Sequence, residues 1–121
     1  MRPHLIERIL SPGGKTVTHF KPERLGQPIK RQTADELTRM MELVVEGGTG
    51  TAAQIPGVRV AGKTGTAETG HGNINTTWFA CFAPVDAPRI AIAVVVENQP
   101  GGFGGKVSAP IAKDVMEALL R

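Results

Sequence analysis

The 121-residue sequence has few of the features that mark several common classes of protein. Its single cysteine, Cys81, cannot form an internal disulfide, and its position in an apolar run predicts a buried, inert thiol. The net charge is only +3, without clustered cations and interleaved aromatics, which argues against a nucleic-acid partner. The longest apolar run, residues 90–96, is far shorter than the ~20 residues that cross a bilayer. We therefore expect any targeting or anchoring segment to lie outside this sequence.

The sequence contains three histidines, and neither they nor Glu68 follow a pattern that indicates a cofactor. His4 and His19 lie far apart and follow no metal-ligand spacing. His71 stands in a glycine-flanked loop, where an exposed side chain is expected, and Glu68 is expected at a solvated strand end. No metal and no other cofactor is predicted.

The order of sequence patterns predicts an α+β fold with an antiparallel sheet flanked by helices. Two apolar segments on either side of Ser-Pro-Gly-Gly at 11–14 predict a β-hairpin, followed by a loop over 21–32. Three further strands are predicted at 58–68, 77–83 and 89–97. The last two are expected to be antiparallel neighbours because their link is short. The third has no polar face, which predicts a central strand covered on both sides.

Two helices are predicted from capping residues and apolar spacing. Thr33 would cap the first, with Glu36 at the capping-box spacing, and Gly47-Gly48 would end it. Ser108 would cap the second, after a glycine-rich connection at 100–105 that is predicted to be mobile. The expected core-facing stripes are Leu37, Met40, Met41 and Val44 in the first helix, and Ala112, Val115, Met116 and Leu119 in the second.

Residues 57–64 match the phosphate-binding pattern G-x-x-x-x-G-K-[ST] letter for letter. A phosphate-binding loop needs a helix that begins at its Lys-Thr pair. Here Val58 and Val60 alternate before that pair, which favours a strand, and three glycines follow within nine residues. The segment therefore predicts an extended strand. A nucleotide-binding protein remains an alternative, but this local pattern argues against it.

The Lys63-Thr64-Gly65-Thr66 segment is predicted to be an edge strand beside a substrate cleft. Alternation places Lys63 and Gly65 on one face and the two threonines on the other. An edge strand offers unpaired backbone groups to an extended peptide, and a glycine lets a ligand approach the backbone closely. A fixed positive charge with nearby hydroxyls suits a substrate that ends in a free carboxylate.

The stretch VAGKTGTAE at 60–68 resembles the third active-site motif of penicillin-recognising serine enzymes. Its flanks, GTGTA at 48–52, WFACFAP at 78–84 and VEN at 96–98, resemble class B penicillin-binding proteins, especially the actinobacterial penicillin-binding protein A type. The first five residues resemble a stretch upstream in that family, so the likeness spans nearly the whole chain. The resemblance implies part of a serine β-lactamase-like transpeptidase domain.

The resemblance also implies a reaction and residue roles. A serine would attack the D-Ala-D-Ala bond of a peptidoglycan stem peptide, and an amine would take the acyl group; β-lactams would bind the same site. Lys63 would polarise a Ser-x-Asn serine and steer the substrate carboxylate. Thr64 and Thr66 would bind that carboxylate along the strand at Gly65, and the Thr66 backbone N–H would form half of the oxyanion hole.

The family requires a Ser-x-x-Lys motif for the nucleophile and a Ser-x-Asn motif, and neither Ser11 nor Ser108 satisfies them. We therefore expect residues 1–121 to be the C-terminal portion of a single transpeptidase domain, inactive alone, with Met1 internal to a longer protein. The upstream part of the domain would be its partner. The resemblance further implies a membrane-anchored, extracytoplasmic protein, with a cell-wall synthesis or division complex as a further partner.

A second hypothesis is a non-catalytic β-lactam sensor or binding module of the same superfamily. Both hypotheses rest on the Lys63-to-Thr66 strand. They differ in what precedes it: a Ser-x-x-Lys motif with a pedestal domain indicates the enzyme, and a signalling segment indicates the sensor.

Overall fold

The computed structural model describes residues 2–121, which form two compact units. The first unit, which ends at Lys30, contains an antiparallel hairpin of β1 (Arg8–Leu10) and β2 (Thr16–His19). The Ser11 N–H donates to the Lys15 carbonyl oxygen (2.8 Å), and Gly14 takes a φ of 79°, which a glycine adopts without steric cost. The predicted hairpin is confirmed.

The second unit, Arg31–Arg121, is a helix, a three-stranded sheet and a second helix. Its elements are α1 (Arg31–Glu46), a 3₁₀ turn (Thr51–Ala53), β3 (Ala61–Glu68), β4 (Ile74–Ala83), β5 (Ile90–Pro100) and α2 (Gly104–Leu120). The strands are antiparallel in the order β3-β4-β5, so β3 and β5 are the edges among the described residues. The predicted α+β fold is confirmed. No helix within residues 2–121 combines the length and apolarity that a bilayer crossing demands.

One face of the sheet forms the core with α2. Phe79 at its centre is fully buried, and its ring occupies the space that a side chain at position 62 would need. A Cβ on Gly62 would lie 2.5 Å from that ring. Cys81 lies on the same face, with its sulfur 3.8 Å from that of Met116 on α2. Burial of these large side chains is the main stabilising contribution to the second unit.

The opposite face of the sheet is uncovered in the described residues. Trp78 is 45% exposed and its cross-strand partner Val95 is 42% exposed. Ala80 and Ala93, the next pair on this face, are also exposed. Within residues 2–121, β5 lies at a sheet edge and only one of its faces packs against α2, so the predicted central position with cover on both sides is not found there.

Arg59 ties the segment before β3 to α1. Its guanidinium donates two hydrogen bonds to the Glu42 carboxylate (2.8 and 2.9 Å) and a further one to Asp86. The hydrogen bond with Glu42 raises the pKa of Arg59. A two-pronged guanidinium–carboxylate contact fixes orientation as well as distance, so α1 and the start of β3 are held in register.

The first helix begins earlier than predicted, and the face that it buries differs from the predicted apolar stripe. It starts at Arg31, so Thr33 lies within the first turn and is not the N-cap; Glu36 accepts a hydrogen bond from Gln32 (2.9 Å) instead of closing a capping box. Arg31 and Gln32 are good helix formers, which explains the early start. Glu42 and Val45 are the buried residues of α1, Met41 and Val44 are half-buried, and Leu37 and Met40 are exposed.

The second helix also begins earlier than predicted. Its first residue is Gly104 and its N-cap is Phe103, so Ser108 lies inside the helix. Ser108 is fully buried, and its hydroxyl is 2.8 Å from that of Thr77 on β4. The residues of the predicted stripe divide: Ala112 and Met116 are buried, whereas Val115 and Leu119 are exposed.

We predict that the Thr77–Ser108 hydroxyl pair stabilises the second unit as a coupled pair. Thr77→Val or Ser108→Ala alone should lower the free energy of unfolding by about 1–3 kcal/mol, because each removes the 2.8 Å contact of a buried hydroxyl; the Thr77 hydroxyl keeps a longer hydrogen bond to the Val96 carbonyl oxygen (3.4 Å). The double variant should lose clearly less than the sum of the two single losses. Urea unfolding of the four proteins measures this coupling, and additive losses would contradict it.

Burial raises the pKa of the Cys81 thiol to about 11, so we predict a thiol that is unreactive while the chain is folded. At pH 8 a disulfide reagent should modify it only in urea. Because the folded pKa is raised, the stability that it contributes is present below the unfolded pKa of about 8.5 and is lost as the pH rises toward 11. Rapid modification at pH 8 without denaturant would refute this.

Candidate active-site strand

The Lys63-to-Thr66 segment lies within β3, fully extended. It pairs with β4 on one side only, with Lys63 opposite Ala80 and Thr66 opposite Thr77. Its other backbone edge has no strand partner among residues 2–121. No helix begins at Lys63, so the geometry of a phosphate-binding loop is absent and the strand prediction is confirmed.

The lysine and the threonines of the segment lie on opposite faces of β3, as alternation predicts. The Lys63 side chain is exposed, and its ammonium donates a hydrogen bond to the Thr64 carbonyl oxygen (2.6 Å). Gly65 pairs with Trp78, and a Cβ at Gly65 would lie 3.1 Å from the tryptophan Cβ. A side chain at Gly65 would therefore be tight against Trp78, which gives a packing reason for glycine in addition to the ligand approach predicted from the sequence.

The hydroxyls of Thr64 and Thr66 line an open cleft of about 560 Å³. Its other lining residues are Thr49, Thr51, Ala52, Phe103, Gly104, Gly105 and Lys106. The Thr49 and Thr64 hydroxyl oxygens are 2.7 Å apart, and the Gly104 N–H donates a 3.4 Å hydrogen bond to the Thr66 hydroxyl. The cleft therefore presents hydroxyls from two segments, together with the first turn of a helix.

The first turn of α2 touches backbone on two sides of this cleft. A Cβ on Gly104 would lie 2.2 Å from the Trp78 carbonyl oxygen and 2.6 Å from that of Gly65. A Cβ on Gly105 would lie 2.0 Å from the Thr49 carbonyl oxygen. Only glycine permits both approaches, so this pair of glycines sets the distance between α2 and β3.

Two asparagines hold the loop that leads into this turn. Asn75 is buried on β4, and its side-chain amide donates to the Gly102 carbonyl oxygen (3.0 Å). The Asn73 carbonyl oxygen accepts a hydrogen bond from the Gly101 N–H (2.7 Å). The predicted mobile connection is therefore tied to β4 by side-chain and backbone bonds.

The structure brings the four predicted site residues onto one strand and adds others that the sequence reasoning missed. Thr49 and the wall from Phe103 to Lys106 were not predicted as site residues, although the paired glycines at 104 and 105 were a signal of close backbone approach. Within residues 2–121, the hydrogen bonds of His71 are to Thr69 in its own loop, and His71 is not among the residues that line the cleft.

The comparisons with known proteins decide the family. Residues 1–117 match the penicillin binding protein transpeptidase domain. The chain belongs to the penicillin-binding protein transpeptidase family. Its resemblance to class B members of the penicillin-binding protein A type is confirmed by relatives and by solved structures of that type.

Individual relatives of this transpeptidase chain show the extent of the match. It is 37% identical to the peptidoglycan D,D-transpeptidase PbpA of Mycolicibacterium smegmatis, over 100% of this chain and 26% of the relative. It is 36% identical to stage V sporulation protein D of Bacillus subtilis, over 94% of this chain and 19% of that protein. The chain thus spans about a quarter or less of the curated relatives that it matches.

Solved structures confirm the fold of the transpeptidase family. Penicillin-binding protein A of Mycobacterium tuberculosis, as a ceftriaxone acyl-enzyme complex, superposes with a TM-score of 0.89 at 34% identity. The match covers 99% of this chain and 28% of that one. The D,D-transpeptidase domain from Eggerthella lenta gives a TM-score of 0.78 at 36% identity, over 93% of this chain and 27% of that one.

We predict that Gly104→Ala is destabilising although alanine favours a helix. The gain in helix propensity is about 1 kcal/mol, whereas the new methyl group would meet two backbone oxygens that no side-chain rotation relieves. A net loss of about 1–3 kcal/mol in the free energy of unfolding is expected from such overpacking.

Gly47→Ala is the matched control, since a Cβ there meets nothing within 4 Å. Thermal or urea unfolding compares the two variants. Equal stability of Gly104→Ala and Gly47→Ala would show that the close backbone contacts at Gly104 do not exclude a methyl group.

Proposed function

We propose that this chain forms the carboxylate-binding, C-terminal part of a serine D,D-transpeptidase domain that cross-links peptidoglycan stem peptides. The observation that carries the proposal is the open edge of β3, where Lys63 stands on one face and the Thr64 and Thr66 hydroxyls line a cleft on the other. A peptide that lies along this edge meets a cation, two hydroxyls and free backbone groups at once.

The chemistry is acyl transfer through a serine that the preceding part of the domain would supply. Its hydroxyl oxygen attacks the carbonyl carbon between the two terminal D-alanines, and the peptide bond breaks as the terminal D-alanine leaves with a proton on its nitrogen. An amine of a second stem peptide then attacks the ester, restores the serine hydroxyl and forms the cross-link. A β-lactam would acylate the same serine.

Each residue of the Lys63-to-Thr66 segment has a proposed role in these reaction steps. Thr64 and Thr66 bind the substrate carboxylate, and Gly65, which has no side chain, leaves the strand backbone open to a ligand along the edge. Lys63 is freed from the Thr64 carbonyl oxygen to polarise a serine of the preceding part and to attract the carboxylate. The Thr66 backbone N–H supplies half of the oxyanion hole, where losing one donor costs about 100- to 1,000-fold in rate.

The named relatives support an enzyme over a sensor. The Mycolicibacterium smegmatis relative is named a peptidoglycan D,D-transpeptidase, and the Mycobacterium tuberculosis structure is an acyl-enzyme complex with a β-lactam. We accordingly propose an extracytoplasmic site of action on a protein anchored by a segment outside this chain. Residues 1–121 then belong to one transpeptidase domain, and the preceding part of that domain is the first partner.

We predict that the isolated chain is not labelled by fluorescent penicillin, because neither of its serines has the required motif. A chimera in which this chain replaces the matched quarter of the Mycolicibacterium smegmatis transpeptidase should be labelled at the serine of the host. In the chimera, Thr66→Val should lower the acylation rate about tenfold to a hundredfold, because a hydrogen bond to a charged group is lost.

Thr76→Val is the matched control, since Thr76 lies on β4 outside the cleft. Gel fluorescence against time measures all variants, and the melting temperature of each confirms that it is folded. Stable labelling of the isolated chain, or a folded chimera that is never labelled, would refute the proposed function.

A further inference from the structure

The cleft beside β3 contains one charged side chain among its described lining residues, and it is not the motif lysine. Lys63 points to the opposite face of the strand. Lys106, in the first turn of α2, lines the cleft together with Thr64 and Thr66. Among the described residues that line the cleft with the two threonines, Lys106 is the one with a positively charged side chain.

Lys106 occupies a position that local stability does not favour. A cation in the first turn of a helix opposes the helix dipole, at a cost of about 0.3–1 kcal/mol. The first turn of α2 contains no acidic residue, and no ion pair or side-chain hydrogen bond of Lys106 is formed within residues 2–121. By contrast, Lys113 on the same helix lies 3.9 Å from Glu117.

We propose that Lys106 is a specificity-determining residue that attracts the terminal carboxylate of the substrate into the threonine cleft. The inference rests on the proposed function and adds a residue to it. The Lys106 ammonium and the N-terminal turn of α2 give the cleft a positive potential, and the Thr64 and Thr66 hydroxyls provide the short contacts. The chemical class of the ligand is a peptide or β-lactam with a free carboxylate.

The carboxylate of Glu68, on β3 itself, gives a reason for the positive charge of Lys106. Glu68 follows Thr64 and Thr66 in the strand alternation, so it lies on their face of β3, and it is exposed. Its negative charge repels an incoming carboxylate. In this proposal the positive charge of Lys106, which lines the cleft, counters that repulsion, whereas Lys63 lies on the other face of β3.

The exposure of the Lys106 side chain determines how strongly it should affect the acylation rate. Lys106 is exposed, so its attraction is screened by water and salt and is expected to change rates by about two- to fivefold. The change should appear in the bimolecular acylation rate at low ionic strength and fade in about 0.5 M salt. A merely structural role of this side chain would not depend on salt.

The test compares three variants in the chimera described above, with benzylpenicillin as the probe. Lys106→Gln should acylate about two- to fivefold more slowly than the parent at low salt and equally fast at high salt. Lys106→Arg should keep the parent rate. Lys113→Gln, which removes the same charge from the same helix away from the cleft, should leave the rate unchanged.

A second measurement, on the 121-residue chain itself, separates this inference from the proposed function. Acetyl-D-Ala-D-Ala should shift the backbone amide resonances of Thr64, Thr66 and Gly104, and Lys106→Gln should weaken that binding more than the binding of the peptide amide.

The outcomes are distinct. An unlabelled chimera with a charge-dependent titration refutes the transpeptidase proposal and keeps the carboxylate site. A labelled chimera in which Lys106→Gln matches Lys113→Gln, or loses rate equally at both salt concentrations, overturns the role of Lys106.

Discussion

The contact between the first turn of α2 and β3 is the constraint on which the site depends. Gly104 and Gly105 bring helix backbone to within van der Waals distance of the Trp78, Gly65 and Thr49 carbonyl groups. A larger residue at either position would push the helix away and widen the cleft. The Thr77–Ser108 hydroxyl pair, one helical turn further on, holds the same approach from inside the core. Small side chains and buried hydroxyls thus determine how closely α2 lies to Thr64 and Thr66 across the cleft.

The strand separates two kinds of chemistry by its own alternation. Hydroxyls and the Lys106 charge lie on the α2 side of β3, whereas Lys63 stands on the side where the sheet is uncovered. Under the proposed function, a substrate that lies along the edge would meet both sides. The proposal therefore depends on the edge position of β3 in this unit as much as on the identity of its residues.

The parts of the fold that the sequence predicted are those with strong local periodicity. The alternation before Lys63 and the glycines after Thr64 argue against a helix, and the structure has a strand at 61–68, which begins three residues later than predicted because Val58 forms only an isolated bridge with Ile55. The start of α2 was wrong because a long-range contact outweighed the capping rule: Ser108 resembles a cap but bonds to Thr77 across the core. The cleft wall was missed for a related reason. Glycines at 104 and 105 suggest mobility when read locally, and their close backbone neighbours are distant in sequence.

The apolar stripe of α1 shows the limit of spacing alone. Leu37 and Met40 follow the period of a buried face, yet they are exposed, and a charged residue, Glu42, is buried against Arg59 instead. Periodicity identifies a face that suits burial, but it does not say which neighbour, in this chain or beyond it, provides the cover.

The exposed pairing of Trp78 with Val95 has an optical consequence. Trp78 is the sole tryptophan of the chain, so all indole emission arises from the face of the sheet that bears Lys63. With water against the ring, that emission lies at long wavelength; a helix or strand docked there would shift it to the blue. The chain therefore carries its own spectroscopic sensor for whatever covers this side of the sheet.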